Sequence, residues 1–242
     1  MYNEYLQEWL VEPSGLVDPA FREYYRMLDL QSILTWEYFA SYSMWNMPFL
    51  LPLFSVLPCI PFTFELRSYF ILGRHRFKSL SIQYYRMILK YAFISSSCVT
   101  LSMTFVFSIV GFFLIPSVRD LGSIDDWFPQ GFYEKSPLFV FIFMILGYYG
   151  PMIFSYALLT LGLMLWTKRV YVVPILVYLT FIGQTKLAHI LDSSALNIQR
   201  NIVAYNILTP LPQMYVSIGV VAFLACIIIY FGVKKACREY NV

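Results

Sequence analysis

Charge is what this chain has least of. Asp, Glu, Lys and Arg make up 13% of its 242 residues, whereas 59% are hydrophobic and 19% aromatic. A soluble domain of that length needs about a quarter of its residues charged to cover its surface with polar groups. The mean hydropathy of +0.63 agrees with that exclusion. The net charge of +3 is too small to point to nucleic acid. Four cysteines, Cys59, Cys98, Cys226 and Cys237, fall in or near long apolar runs, so a disulfide framework is excluded. No glycosylation sequon occurs. Met1 is not followed by a basic and then an apolar region, so no secretory signal peptide is read.

Chemistry-bearing motifs are also missing. The chain has no nucleophile elbow, no His-Glu-x-x-His, no paired-cysteine zinc spacing and no phosphate-binding Gly-x-x-x-x-Gly-Lys loop. The expected spans contain no Asp, Glu, Lys, Arg or His, although proton-coupled carriers and intramembrane hydrolases nearly always need one. The reading is therefore not an enzyme, with no cofactor, no metal site and no nucleic-acid partner.

The long apolar runs that remain predict an all-α polytopic membrane helix bundle. It is read as a single transmembrane domain over 1–242, with about five transmembrane helices and short interfacial helices. The first span is expected over Ser43–Thr63. It carries Pro48, Pro52, Pro58 and Pro61, so part of its length should face protein that satisfies the freed carbonyls. The second is expected over Tyr91–Ile115, where Ser95, Ser96, Ser97 and Ser102 offer small packing surfaces. The third, Pro137–Trp166, is interrupted by Gly147–Pro151. The fourth, Val170–Gly183, is short for a crossing unless it extends through Leu187, and the last is Met214–Val233. Three polar stretches flank these runs: an acidic segment 1–42, a basic stretch 64–90 and a mixed stretch 185–212, which reads as a helical hairpin at the outer face.

The basic stretch dominates the pattern. Arg67, Arg74, Arg76, Lys78, Arg86 and Lys90 fall between two uncharged runs with Glu65 as the only acid, interleaved with Tyr69, Phe70, Phe77, Tyr84, Tyr85 and Met87. Placing this stretch, Lys168–Arg169 and the tail after Val233 inside puts 11 of the 17 basic residues in the cytoplasm. The carboxyl terminus is then cytoplasmic and the amino terminus outside, in a multi-pass protein of the cell membrane. An outside amino terminus without a signal leads to a further expectation, that a natural parent has one more helix before Met1. The acidic loop Arg119–Lys135, with Trp127, Phe128, Phe132 and Tyr133, is expected at the outer interface.

In three features the chain resembles the permease subunits of bacterial ABC exporters, the six-span class without a fused ATPase. A Pro-rich span leads into Phe64-Glu65, then Arg74, Arg76 and Lys78, then Tyr84-Tyr85 and Lys90. Gln7-Glu8-Trp9-Leu10 lies ahead of that span. A polar hairpin, Thr185–Pro212, precedes the last span. The family's first span and its elbow helix have no counterpart here. The resemblance implies that 64–90 is a coupling loop, with Ser68–Tyr85 as the helix that docks on a cytosolic ABC ATPase. Glu65, Arg67, Arg74, Arg76, Lys78, Tyr84, Tyr85 and Arg86 would then be the coupling residues. It also implies pairing with a second permease subunit, identical or different, within the lipid bilayer, and ATP-driven export. Tyr148, Tyr149 and the methionines read as packing residues. The alternative reading is a non-transport assembly or sensory protein that binds a ligand through its acidic outer loops. A third, an enzyme acting on lipid, conflicts with the uncharged spans.

Overall fold

The structure is a computed structural model that describes residues 50–62, 64–66, 80–113, 139, 142–143, 145–167, 169–198 and 211–239. Among these there is no strand. The elements are α1 (Leu50–Leu66), α2 (Leu80–Phe113), α3 (Gly150–Trp166) with a π-helical lead-in over Ile145–Tyr149, α4 (Val172–Ile190) and α5 (Leu211–Glu239). A single 3₁₀ turn, Ser194–Leu196, follows α4. The acidic segment 1–42, residues 67–79 of the basic stretch, the loop 114–138 and the rear of the expected hairpin (199–210) lie outside the described residues.

Helix α3 is the centre. It is apolar on every side, and Met152, Ile153, Ser155, Tyr156, Ala157, Leu158, Leu159, Thr160, Leu161, Gly162 and Met164 are all buried. A helix without a polar face buries itself among others. Helices α2, α4 and α5 pack on it, most extensively α5. The outer helices show the inverse pattern. Phe93, Leu101 and Phe105 of α2, Ile175 and Leu179 of α4, and Phe223 and Ile227 of α5 point away from the bundle. In water this belt would far exceed the few hundred Å² of contiguous apolar surface that monomers expose. Against acyl chains it costs nothing.

Four of the helices, over Ser81–Ile109, Ile145–Trp166, Val172–Ile190 and Tyr215–Arg238, are long and apolar enough to cross a membrane. Helix α1 is shorter, at about 26 Å against the ~30 Å of a hydrocarbon core. It also carries the proline disturbance the sequence foreshadows. Pro58 and Pro61 withhold the donors that would reach the carbonyls of Phe54 and Leu57. The backbone tightens to a 3₁₀ turn over Leu57–Cys59, and the Ile60 N–H takes the Leu57 carbonyl instead. The buried stripe Leu51, Ser55, Val56, Cys59 and Leu66 faces protein, while Leu53, Phe54, Leu57 and Phe64 face outward.

Two boundaries differ from the sequence expectation. Helix α2 begins at Leu80 rather than Tyr91, so the last part of the basic stretch is not an interfacial helix but the first three turns of a spanning helix. The buried positions Tyr84, Ile88 and Ala92 recur every four residues and hold this extension on the bundle while Arg86 and Lys90 stay exposed. Helix α4 runs to Ile190, so Thr185–Ile190 belong to it and not to a separate hairpin. Thr185 and Ala188 are buried, which draws the helix past Gly183, and it consequently carries Lys186 and His189 on its exposed last turns.

Contacts fix the directions. The Tyr84 hydroxyl reaches the Leu66 carbonyl and the Phe62 ring stacks on Tyr91 at 4.4 Å, so α1 and α2 are antiparallel. Tyr215 meets Gly147 and Trp166 meets Ile228, so α3 and α5 are parallel, and α4, which turns back between them, runs the other way. Helices α2 to α5 therefore alternate. Arg86, Lys90, Arg169, Lys234, Lys235 and Arg238 gather at one end of the bundle, and Lys186 alone of the described basic residues lies at the other.

Candidate functional site

The first region of interest is the corner where α1 meets α2, because it holds every described member of the expected coupling set. Glu65 is exposed, and one of its carboxylate oxygens accepts a 2.7 Å hydrogen bond from the Tyr91 hydroxyl. Tyr91 lies 26 residues away and was no candidate in the sequence. Its ring is fixed by the stack on Phe62, so one aromatic stack and one charge-assisted hydrogen bond set the geometry of this corner of the α1–α2 junction. Tyr84 is fully buried and donates to the backbone carbonyl of Leu66. It clamps the two helices and is not on the surface where a partner would dock. Tyr85 is half-buried toward the carboxyl-terminal part of α5, and Arg86 is exposed. Arg67, Arg74, Arg76 and Lys78 lie outside the described residues. The structure thus brings Glu65, Tyr84, Tyr85 and Arg86 to one end of the bundle and assigns Tyr84 to the interior.

The second region is the core at the opposite end. Tyr148, Tyr149, Met152 and Tyr156 share one face of the π-helical turn and α3, all within 1% of complete burial. Tyr148 stands edge-on to Tyr149 at 5.7 Å and to Tyr215 at 6.1 Å. Pro151 removes the donor that would reach the Gly147 carbonyl, four residues back. The Tyr215 hydroxyl of α5 fills the gap at 2.9 Å. From α4, the Gln184 amide donates to the Ser217 carbonyl at 2.9 Å. That leaves the hydroxyls of Tyr148 and Tyr156 and Oε1 of Gln184 buried with no hydrogen-bond partner among the described residues. Each such group is costly, about 1–3 kcal/mol in a dry interior.

Neither region contains a constellation for covalent chemistry. No group of three or more His, Cys, Asp or Glu side chains that could hold a metal comes together among the described residues. In α2 the hydroxyls of Ser96, Thr100, Thr104 and Ser108 each donate to a carbonyl about one turn back, so they are satisfied within their own helix. Of the serines expected to pack there, Ser95 and Ser96 are buried and Ser102 is exposed.

Fold and site define the class: an all-α polytopic membrane helix bundle with a basic end, a tyrosine-lined core and, among the described residues, no buried charged side chain. Compared with protein-family models, with curated proteins and with solved structures, the chain finds no match.

Proposed function

We propose that the chain is the membrane-spanning permease subunit of an ATP-driven exporter of the ABC class, which couples a separate cytosolic ATPase to the movement of cargo and performs no covalent chemistry itself. In this reading the basic end faces the cytoplasm of a bacterial cell with the carboxyl terminus, and the amino terminus lies outside. A second permease subunit completes the pathway.

The observation that carries the reading is α2. Its 34 residues make a rod of about 51 Å. The charge-free part from Tyr91 to Phe113 covers about 34 Å, enough to cross the hydrocarbon core. The first three turns, with Arg86 and Lys90, continue that rod into the basic stretch. A force applied to the basic stretch therefore acts on a rigid lever that reaches the far side of the bundle. The Glu65–Tyr91 and Tyr84–Leu66 contacts make α1 move with it. Clustering six described basic residues at one end supports the cytoplasmic placement of that end.

The test is purification of the chain in mild detergent from its native membrane, with ATP hydrolysis assayed in the eluate. Charge reversal at the coupling stretch (Arg74→Glu, Arg76→Glu and Arg86→Glu together) is expected to release a stoichiometric ATPase and to lower export at least tenfold. A folded chain that elutes with no ATPase activity, and whose phenotype maps to Asp120–Lys135, would replace this reading with the assembly or sensory one.

A further inference from the structure

We infer that the polar cluster buried between α3, α4 and α5 is a binding site for a water molecule, held by the hydroxyls of Tyr148 and Tyr156 and by Oε1 of Gln184. This inference stands apart from the export reading. The three side chains are close to fully enclosed: Tyr148, Tyr156 and Gln184 are 1%, 0% and 8% exposed. All three belong to helices long and apolar enough to cross a membrane. Gln184 lies six residues before the end of α4, and Ser217 lies six residues after the start of α5. The cluster therefore sits about 9 Å along the helices from that end of the bundle.

Ser217 brings the groups together. Its carbonyl accepts from the Gln184 amide at 2.9 Å. Its side chain stands beside the Tyr148 hydroxyl without closing a hydrogen bond to it. Tyr156 follows eight residues after Tyr148 on the same face. Helical side chains lean toward the helix N-terminus, which carries the Tyr156 hydroxyl back within electrostatic reach of Tyr148. The amide of Gln184 has a fixed orientation, because its nitrogen faces two backbone carbonyls, Ser217 at 2.9 Å and Leu196 at 3.5 Å. Oε1 is then the acceptor that remains.

The chemistry of the set selects the ligand. Two hydroxyl protons need acceptors and one carbonyl-type oxygen needs a donor. A metal cation takes lone pairs only and would leave both tyrosine protons unpaired. An anion has nothing to offer Oε1. Either ion would also enter without a counter-charge, since no charged side chain is buried among the described residues. Water accepts from both tyrosines and donates to Oε1, which gives it the three partners typical of a buried water. A larger neutral ligand finds no opening past tyrosines this enclosed. Helix α4 packs on α3 over less of its length than α5 does. A water here adds a bridge from Gln184 to α3, where the direct bond of Gln184 runs to α5.

Hydroxyl-radical footprinting by X-ray radiolysis of the full chain in lipid nanodiscs tests this, because radicals formed from a bound water oxidise the side chains that hold it. Tyr149 is the internal control: it is equally buried, and its hydroxyl is not among the unpaired groups. Oxidation is expected at Tyr148 and Tyr156 and not at Tyr149. Oxidation of all three overturns the inference by showing solvent entry through opening of the bundle, and oxidation of none overturns it by showing a dry cluster. The variant Tyr156→Phe gives a second readout of opposite sign for the two cases. Removing a hydroxyl that holds a water is expected to lower the thermal midpoint and to weaken the footprint at Tyr148. Removing an unpaired hydroxyl from a dry core raises the midpoint or leaves it unchanged, and that result contradicts the site.

Discussion

At the scale of single residues, the interior is held by hydrogen bonds that replace missing backbone partners. Pro151 leaves the Gly147 carbonyl without its helical donor, and Tyr215 supplies one from 68 residues away. In a membrane no bulk water can stand in. Tyr215→Phe is therefore expected to destabilise the bundle by about 1–3 kcal/mol, the cost of an unsatisfied polar group. Thermal unfolding of the detergent-solubilised chain measures it, and an unchanged midpoint would show that another group already satisfies that carbonyl. The break itself was legible, since Gly147-Tyr148-Tyr149-Gly150-Pro151 announces a helix disturbance. Its repair was not, because nothing in the chain near Tyr215 marks it as a donor to a distant turn. Glu65 was legible as an end-of-helix acid, but the hydrogen bond it accepts from Tyr91, 26 residues on, was not. Tyr84 illustrates a further limit. Its place in a basic, aromatic run suggests an interface, yet the four-residue spacing with Ile88 and Ala92 puts it inside.

At the scale of helices, the α3–α5 seam depends on two glycines. A Cβ at Gly162 would stand 2.9 Å from Ile229 Cγ1 and 3.2 Å from Ile228 Cγ2, and Gly232 meets Leu165 and Trp166 at 3.0 Å. Helices in lipid gain little from apolar burial and instead gain from close approach, which small residues permit. Gly162→Val should push α5 away and cost about 1–3 kcal/mol by overpacking. Gly219 has nothing within 4 Å of an added Cβ, so Gly219→Ala should be neutral or gain up to about 1 kcal/mol from helix propensity. Melting both variants side by side checks the pair, and equal effects would contradict the seam. Helix existence was readable from apolar runs, and helix ends were not. The sequence expectation started α2 only after the last charge of the basic stretch and ended α4 at Gly183 or, if extended, at Leu187. In the fold, one buried stripe carries each helix onward while its charges stay at the surface.

At the scale of the whole molecule, the all-α bundle followed from composition alone, because so few charges can cover only the ends of a helix bundle. Which helix lies in the middle did not follow. Helix α3 has the least polar sides, but the last span is also strongly apolar, and the choice is made by Tyr148, Tyr149, Tyr156 and the glycine seam. The proposed coupling role requires the basic end to face the cytoplasm. In a cysteine-free background, single cysteines replacing Lys186, at the end of α4, and Arg238, at the end of α5, are challenged in intact cells with a membrane-impermeant maleimide. Labelling of Lys186→Cys in intact cells, with Arg238→Cys reacting only after permeabilisation, is the expected result. Labelling of Arg238→Cys in intact cells, or of both positions from the same side, would contradict the orientation and the functional reading built on it.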